Sequence, residues 1–69
     1  MLEKALGHHR AGRLAEAETI YRQILAVDAQ HADSLHLLGM LEHQRGHHDI
    51  AIEMIRAAIA VNQNVAVVN

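Results

Sequence analysis

The chain has 69 residues, enough for one small domain, and it contains no Cys, Pro, Phe or Trp. The absence of Cys excludes a disulfide framework and thiolate metal ligands, and four Gly with no Pro argue against a loop-rich or all-β chain. Six basic and eight acidic side chains give a net charge of −2, without the basic stripe typical of nucleic-acid-binding proteins. We therefore expect no nucleic-acid partner.

The chain begins Met1-Leu2-Glu3-Lys4, which lacks the basic and then apolar layout of a signal peptide. Its apolar runs fall well short of the roughly 20 residues that a membrane-spanning helix needs. We therefore expect a cytoplasmic location and no membrane partner.

Apolar residues that recur at spacings of three and four predict four amphipathic helices. The first is predicted over residues 2–10 and is interrupted by Gly12. The second is predicted over residues 14–27, with one apolar face. That face is formed by Leu14, Ala17, Tyr21, Ile24 and Leu25.

The third helix is predicted from a cap at Asp33 or Ser34 to about residue 45. Gly46 ends it, because Gly tolerates the left-handed conformation at a helix C-terminus. The fourth helix is predicted over residues 49–61. Its apolar face is formed by Ala51, Ile52, Ile55, Ala58 and Ile59. No strand is expected in the body of the chain, so the predicted fold class is all-α.

The polar segment of residues 28–31 is short enough to connect the second and third helices. Because this segment has no Pro, it could instead be helical, and the two helices would then fuse into one. A fused central helix would open the monomer and allow two chains to exchange hairpin elements. The sequence is therefore compatible with a compact pair of hairpins and with a domain-swapped dimer.

The chain repeats itself with a period of 34 residues, the distance from Gly12 to Gly46. The same offset joins further identical residues: His9 and His43, Ala17 and Ala51, Arg22 and Arg56, Ala26 and Ala60, Val27 and Val61. A period of this size indicates stacked helix–turn–helix units. We predict one unit over residues 1–31, a second over 32–64, and a tail or truncated third unit over 65–69.

The second unit carries small and large residues in a fixed order: Leu35-x-x-Leu38-Gly39, then Gly46-x-x-x-x-Ala51-x-x-x-Ile55-x-x-Ala58. The first unit shares Gly12, Ala17, Tyr21 and Leu25. Both units resemble the tetratricopeptide repeat, although Ala5 stands where Gly is usual and Ile24 where Ala is usual. The resemblance implies antiparallel helix–turn–helix repeats, a fragment of an α-solenoid. Residues 11–17 also resemble the repeat arrays that precede catalytic domains in bacterial glycosyltransferase-like proteins.

In the tetratricopeptide repeat family, the first helix of each repeat lines a concave groove that binds peptides. Carried over by repeat register, the resemblance implies a peptide-binding groove at His9, Arg10, Asp33, His36, Met40, His43 and Gln44. The implied function is a non-catalytic protein–protein interaction module with a protein or peptide partner. The Lys and Asn clamp that some relatives use for a C-terminal carboxylate is absent.

Two repeats are fewer than the roughly three that such arrays normally need, so both stacking faces are left uncovered. We therefore expect a homo-oligomer, a dimer, that associates through apolar side chains near the two ends of the chain. These are Leu2, Leu6, Val65, Val67 and Val68. A structural building block without a ligand is the alternative function.

The seven His residues raise the question of a metal site. Neighbours such as His8 and His9 point about 100° apart on a helix and cannot easily chelate one ion. Gly46 is expected to break the helix between His43 and His47. We therefore expect no metal and no cofactor, and keep a His-dependent metal binder as a further alternative. We also expect no enzyme activity, because two hairpins of small side chains hardly enclose a catalytic pocket.

Overall fold

The computed structural model describes the backbone of residues 1–68 and the side chains of residues 1–62. This part of the chain contains four helices and no strand, which confirms the all-α prediction. The helices are α1 (Leu2–Arg10), α2 (Leu14–Val27), α3 (Ala32–Gln44) and α4 (His48–Val68). Packing of α1 on α2, α2 on α3 and α3 on α4 produces two hairpins stacked in chain order. Among the described residues, no helix combines the length and apolar character needed to cross a membrane.

The bounds of α1 and α2 agree with the prediction, while those of α3 and α4 differ. The residue that caps α3 is His31, whose Nδ1 accepts the Ser34 backbone N–H at 3.1 Å. The predicted caps Asp33 and Ser34 therefore lie inside the first turn of the helix. The fourth helix continues past residue 61 to Val68, because neither Gly nor Pro interrupts it.

The connection between α2 and α3 is a break in the helix. Asp28 is extended, with φ of −136° and ψ of 92°, and its carboxylate accepts the Gln30 backbone N–H at 3.1 Å. Such a side-chain acceptor stabilises a turn in place of a continuing helix. In this structure α2 and α3 are therefore separate helices rather than one fused helix.

Both hairpins turn at a glycine in the left-handed region, since Gly12 and Gly46 each have φ of 84°. In each turn, the N–H of the residue after the glycine bonds back to a carbonyl of the preceding helix. Arg13 donates to His8 at 2.9 Å, and His47 donates to Glu42 at 2.8 Å. This six-residue closure satisfies helix carbonyls that would otherwise lack a partner. The two turns are therefore the same structure, repeated after 34 residues.

The core lies where the hairpins meet, and its fully buried apolar residues are Ala5, Ala17, Tyr21, Leu38 and Leu41. α3 and α4 approach each other closely at Gly39 in α3. A Cβ at this position would lie 2.8 Å from Ile55 Cγ1 and 3.2 Å from the Ala51 carbonyl oxygen. The absence of a side chain at Gly39 thus lets α4 pack tightly on α3.

Candidate binding groove

A cavity of about 440 Å³, here named the large cavity, opens between α1, α3 and α4. It is lined by His9, Met40, His43, Gln44 and Ile55. Met40 remains 46% exposed there, so its flexible thioether side chain is available to an incoming group. Four of the five lining residues are ones that the repeat register assigned to the groove.

A second cavity of about 220 Å³, the small cavity, lies along α3 and α4. It is lined by Ala32, Asp33, His36, Ile55, Ala58, Ile59 and Asn62. Because Ile55 borders both cavities, they adjoin and form one groove. Asp33 and His36 were assigned to this groove from the sequence, whereas Arg10 is exposed and lines neither cavity.

Sequence reasoning missed the contribution of α4, because the family register assigns the groove to the first helix of each repeat. Ile55, Ile59 and Asn62 form the wall that α4 supplies. The signal was present in the predicted apolar face of the fourth helix. Three of the five residues on that face, Ile55, Ala58 and Ile59, line the cavities.

One wall of the groove is fixed by hydrogen bonds to His9. Its Nε2 lies 2.6 Å from Gln44 Oε1 and its Nδ1 lies 3.2 Å from the Tyr21 hydroxyl oxygen. The amide oxygen can only accept, so Nε2 carries the proton and Nδ1 accepts from the hydroxyl. Burial raises the pKa of Tyr21, and the positive charge of Arg10 partly opposes this shift. His9 therefore joins α1, α2 and α3 and has no free ring nitrogen.

The other histidines near the groove are arranged differently. His43 Nδ1 lies 3.0 Å from His48 Nδ1, with the ring centroids 4.8 Å apart. His47, the partner considered for His43 from the sequence, bonds instead to Glu42 at 2.8 Å. Glu42 is only 2% exposed, so the His47 ring forms a hydrogen bond with a buried carboxylate beside the turn. Within the described side chains, no group of three His, Asp or Glu forms a metal-ligand set.

Of the five residues assigned to self-association, the structure describes the side chains of Leu2 and Leu6. Leu2 and Leu6 are half-buried, and Leu2 packs against the core. The side chains of Val65, Val67 and Val68 lie outside the described residues. Exposed apolar surface is found instead on α4, where Ile52 and Ile59 are 49% and 48% exposed and lie two turns apart on one face.

The repeat explains why this face of α4 is uncovered. The 34-residue offset relates Ile52 and Ile59 to Glu18 and Leu25 of α2. Leu25 packs against the core, and Glu18 forms an ion pair with Arg45, the residue that follows α3. In the first hairpin, this face belongs to α2 and is covered by α3. In the second hairpin, the same face belongs to α4, and no helix among the described residues follows to cover it.

Comparison with known protein families finds that a family model of the tetratricopeptide repeat matches residues 8–68. The chain belongs to the tetratricopeptide repeat family. The match begins near the end of α1, covers α2, α3 and α4, and includes the turn glycines and the groove residues on α3. Comparison with curated proteins and with solved structures finds no match. Tetratricopeptide repeats generally mediate protein–protein interactions and are typically non-catalytic.

Proposed function

We propose that this chain is a protein-interaction module that holds an extended peptide in its groove and pairs with a second copy through α4. The groove proposal rests on one observation, the adjoining large and small cavities that share Ile55. Six residues from α1 and α3 that the repeat register assigned to peptide binding line these cavities. They are His9, Asp33, His36, Met40, His43 and Gln44.

The chemistry of the two cavities favours a particular kind of peptide. The large cavity offers Met40 and Ile55 to a bulky apolar side chain, and its volume lies within the range of small-ligand pockets. The small cavity offers the Asp33 carboxylate and the Asn62 amide, which suit a basic or amide side chain. The proposed ligand is therefore a peptide with a bulky apolar residue close to a basic or polar one.

Selection from a random peptide library on the immobilised protein tests the groove. Met40→Glu introduces a charge into the large cavity, and Gln23→Glu introduces the same charge on the exposed surface of α2. Peptides enriched on the unmodified protein should carry a bulky apolar residue, bind Gln23→Glu equally well and lose binding to Met40→Glu. Circular dichroism of both variants verifies that they are folded. Peptides that bind Met40→Glu as well as the unmodified protein would refute the groove.

The self-association proposal rests on a difference between the two outer flanks. By repeat register, the α1 residues equivalent to Leu37, Leu38 and Leu41 of the core are Glu3, Lys4 and Gly7, and all three are exposed. The α1 flank is therefore polar, while the α4 flank carries Ile52 and Ile59. Head-to-tail stacking would press apolar side chains on charged ones. Pairing of two α4 faces about a twofold axis buries apolar surface on both sides.

Sedimentation equilibrium tests this arrangement. Ile52→Glu and Ile59→Glu should each convert a dimer into a monomer, because they introduce charge at the centre of the paired face. Ile50→Glu is the matched control, since Ile50 is exposed on α4 but lies about 200° around the helix from Ile52. A monomeric unmodified protein at tens of micromolar, or equal dissociation by Ile50→Glu, contradicts the α4 pairing.

A further inference from the structure

Two histidines at equivalent places in the repeats have different partners. His9 in α1 is held by the Tyr21 hydroxyl and by Gln44. The repeat offset relates His9 to His43 and Tyr21 to Ile55. Ile55 has no hydroxyl, and His43 pairs instead with His48, which begins α4. The exchange of Tyr for Ile thus accompanies a histidine that turns away from the core toward a second imidazole.

The His43–His48 pair joins two nitrogen atoms that are both able to bind a metal ion. With the Nδ1 atoms 3.0 Å apart, one ring carries its proton on Nδ1 and donates it to the other. If that proton moves to the solvent side of its ring, at Nε2, both Nδ1 lone pairs become free. The pair can then act as a bidentate ligand without losing a proton to solvent.

The spacing of the two atoms fits a metal ion. For metal–nitrogen distances of about 2.0 Å, the 3.0 Å separation corresponds to a nitrogen–metal–nitrogen angle of about 97°. This angle is close to the roughly 90° of neighbouring ligands in a square-planar site, the geometry that Cu(II) and Ni(II) prefer. Only two protein ligands meet here among the described residues, which disfavours a closed four-ligand zinc site.

We propose that His43 and His48 form a binding site for one Cu(II) or Ni(II) ion, with the remaining coordination positions open to water or to a bound group. Hydrogen bonds in the turn between α3 and α4 fix the backbone that carries the two histidines. Gly46 N–H donates to the His43 carbonyl at 3.1 Å, and His47 bonds through its backbone and its ring to Glu42. The two imidazoles are also exposed, so an ion can reach them without unfolding the chain.

The first hairpin can be compared with this site, because it has the same fold but a different residue at the position of His48. Leu14 occupies in the first hairpin the position that His48 occupies in the second. The first hairpin therefore has only one imidazole at this place, and it is already bonded through both ring nitrogens. The same fold offers a paired site in one repeat and none in the other.

Isothermal titration calorimetry with CuCl₂, and separately with NiCl₂, tests the site on the untagged chain. The unmodified protein should bind one ion per chain at this site. His43→Ala and His48→Ala should each weaken binding by about tenfold or more, because one ligand then acts alone. His36→Ala removes an exposed histidine of α3 outside the pair and should leave the affinity within about twofold.

Electron paramagnetic resonance of the Cu(II) complex gives a second readout. Hyperfine coupling should indicate two imidazole nitrogens in the unmodified protein and one in His48→Ala. Equal affinity of the unmodified protein and His48→Ala would overturn the proposal, as would a loss of binding in His36→Ala alone. His48 lines neither cavity, so His48→Ala should retain peptide binding. Failure of the metal site and failure of the peptide groove are therefore distinguishable.

Discussion

The two hairpins have the same turn geometry but use one equivalent position in opposite ways. Tyr21 of α2 is fully buried, fills the core and fixes His9. Ile55 of α4 is half-buried, borders both cavities and leaves His43 to pair with His48. At this position, on the same helical frame, Tyr in one hairpin makes a buried core contact and Ile in the other forms part of a cavity wall. The comparison shows that the two repeats share their backbone conformation at the turn more closely than they share the contacts of equivalent side chains.

The largest expected effect comes from truncating these two positions. Tyr21→Ala should lower the free energy of unfolding by about 3 to 5 kcal/mol, while Ile55→Ala should lower it by about 1 to 2 kcal/mol because Ile55 is only half-buried. Urea unfolding followed by circular dichroism measures both.

A domain of this size has little stability to lose, so Tyr21→Ala can unfold it outright. Tyr21→Leu retains most of the apolar volume and should remain folded, with a smaller loss than Tyr21→Ala. Equal losses for Ile55→Ala and Tyr21→Ala would show that the two positions do not differ as described.

Substitution of either turn glycine, Gly12 or Gly46, is expected to lower the free energy of unfolding by the same amount. Both have φ of 84°, and a Cβ at either position would meet no atom within 4 Å. Gly12→Ala and Gly46→Ala should therefore each cost about 1 to 2 kcal/mol, from backbone strain alone. Thermal and urea unfolding of the two variants checks this. A difference between them larger than about 1 kcal/mol would break the equivalence of the two turns.

Alkaline pH should lower the free energy of unfolding through Tyr21, which lies in the first hairpin. Burial raises the pKa of Tyr21 above its usual value of 10.0, so the folded state favours the neutral phenol. Stability should be intact below about pH 10 and should fall as the pH rises through the raised pKa, by at most about 1.4 kcal/mol per pH unit. Tyr21 is the only Tyr of the chain, so its absorbance reports the titration directly. Tyr21→Phe should lack this component of the alkaline loss, and an identical loss in that variant would contradict it.

The smallest effect concerns the contact between the hairpins. Glu18 of α2 pairs with Arg45, the residue that follows α3. Glu18 is the repeat equivalent of Ile52 in α4. Arg45→Ala should cost less than about 1 kcal/mol, because both side chains are partly exposed. The cost should shrink further in high salt. Arg22→Ala, which removes a pair within α2, is the control, and a salt-independent loss for Arg45→Ala would argue against an electrostatic origin.

Much of the fold follows from local patterns in the sequence. The bounds of α1 and α2 could be predicted because apolar spacing and the turn residue Gly12 act within a few positions. The cap of α3 could not, because His31 accepts a hydrogen bond through a ring nitrogen that ordinary capping preferences rank below Asp and Ser. The predicted end of α4 at residue 61 is too early, because the apolar spacing used to place it does not mark where the helix stops.

The histidine pair shows where local reasoning failed in the candidate site. When helical spacing alone is considered, a break at Gly46 argues against a joint role for histidines on its two sides. The left-handed turn instead folds the chain back, so that His48 reaches His43. Helical spacing gives no information across such a reversal. The useful signal would have been two histidines five positions apart that flank a turn glycine.

The Asp28 turn has a consequence for how this protein can change. The end of α2 depends on one carboxylate that accepts a backbone N–H, where a prolyl ring would form a covalent barrier. Among the described residues, the only other side-chain bond at this break is the His31 cap of α3, so two side-chain acceptors separate nested hairpins from a continuous rod. Each of these acceptors can be lost by a single codon change.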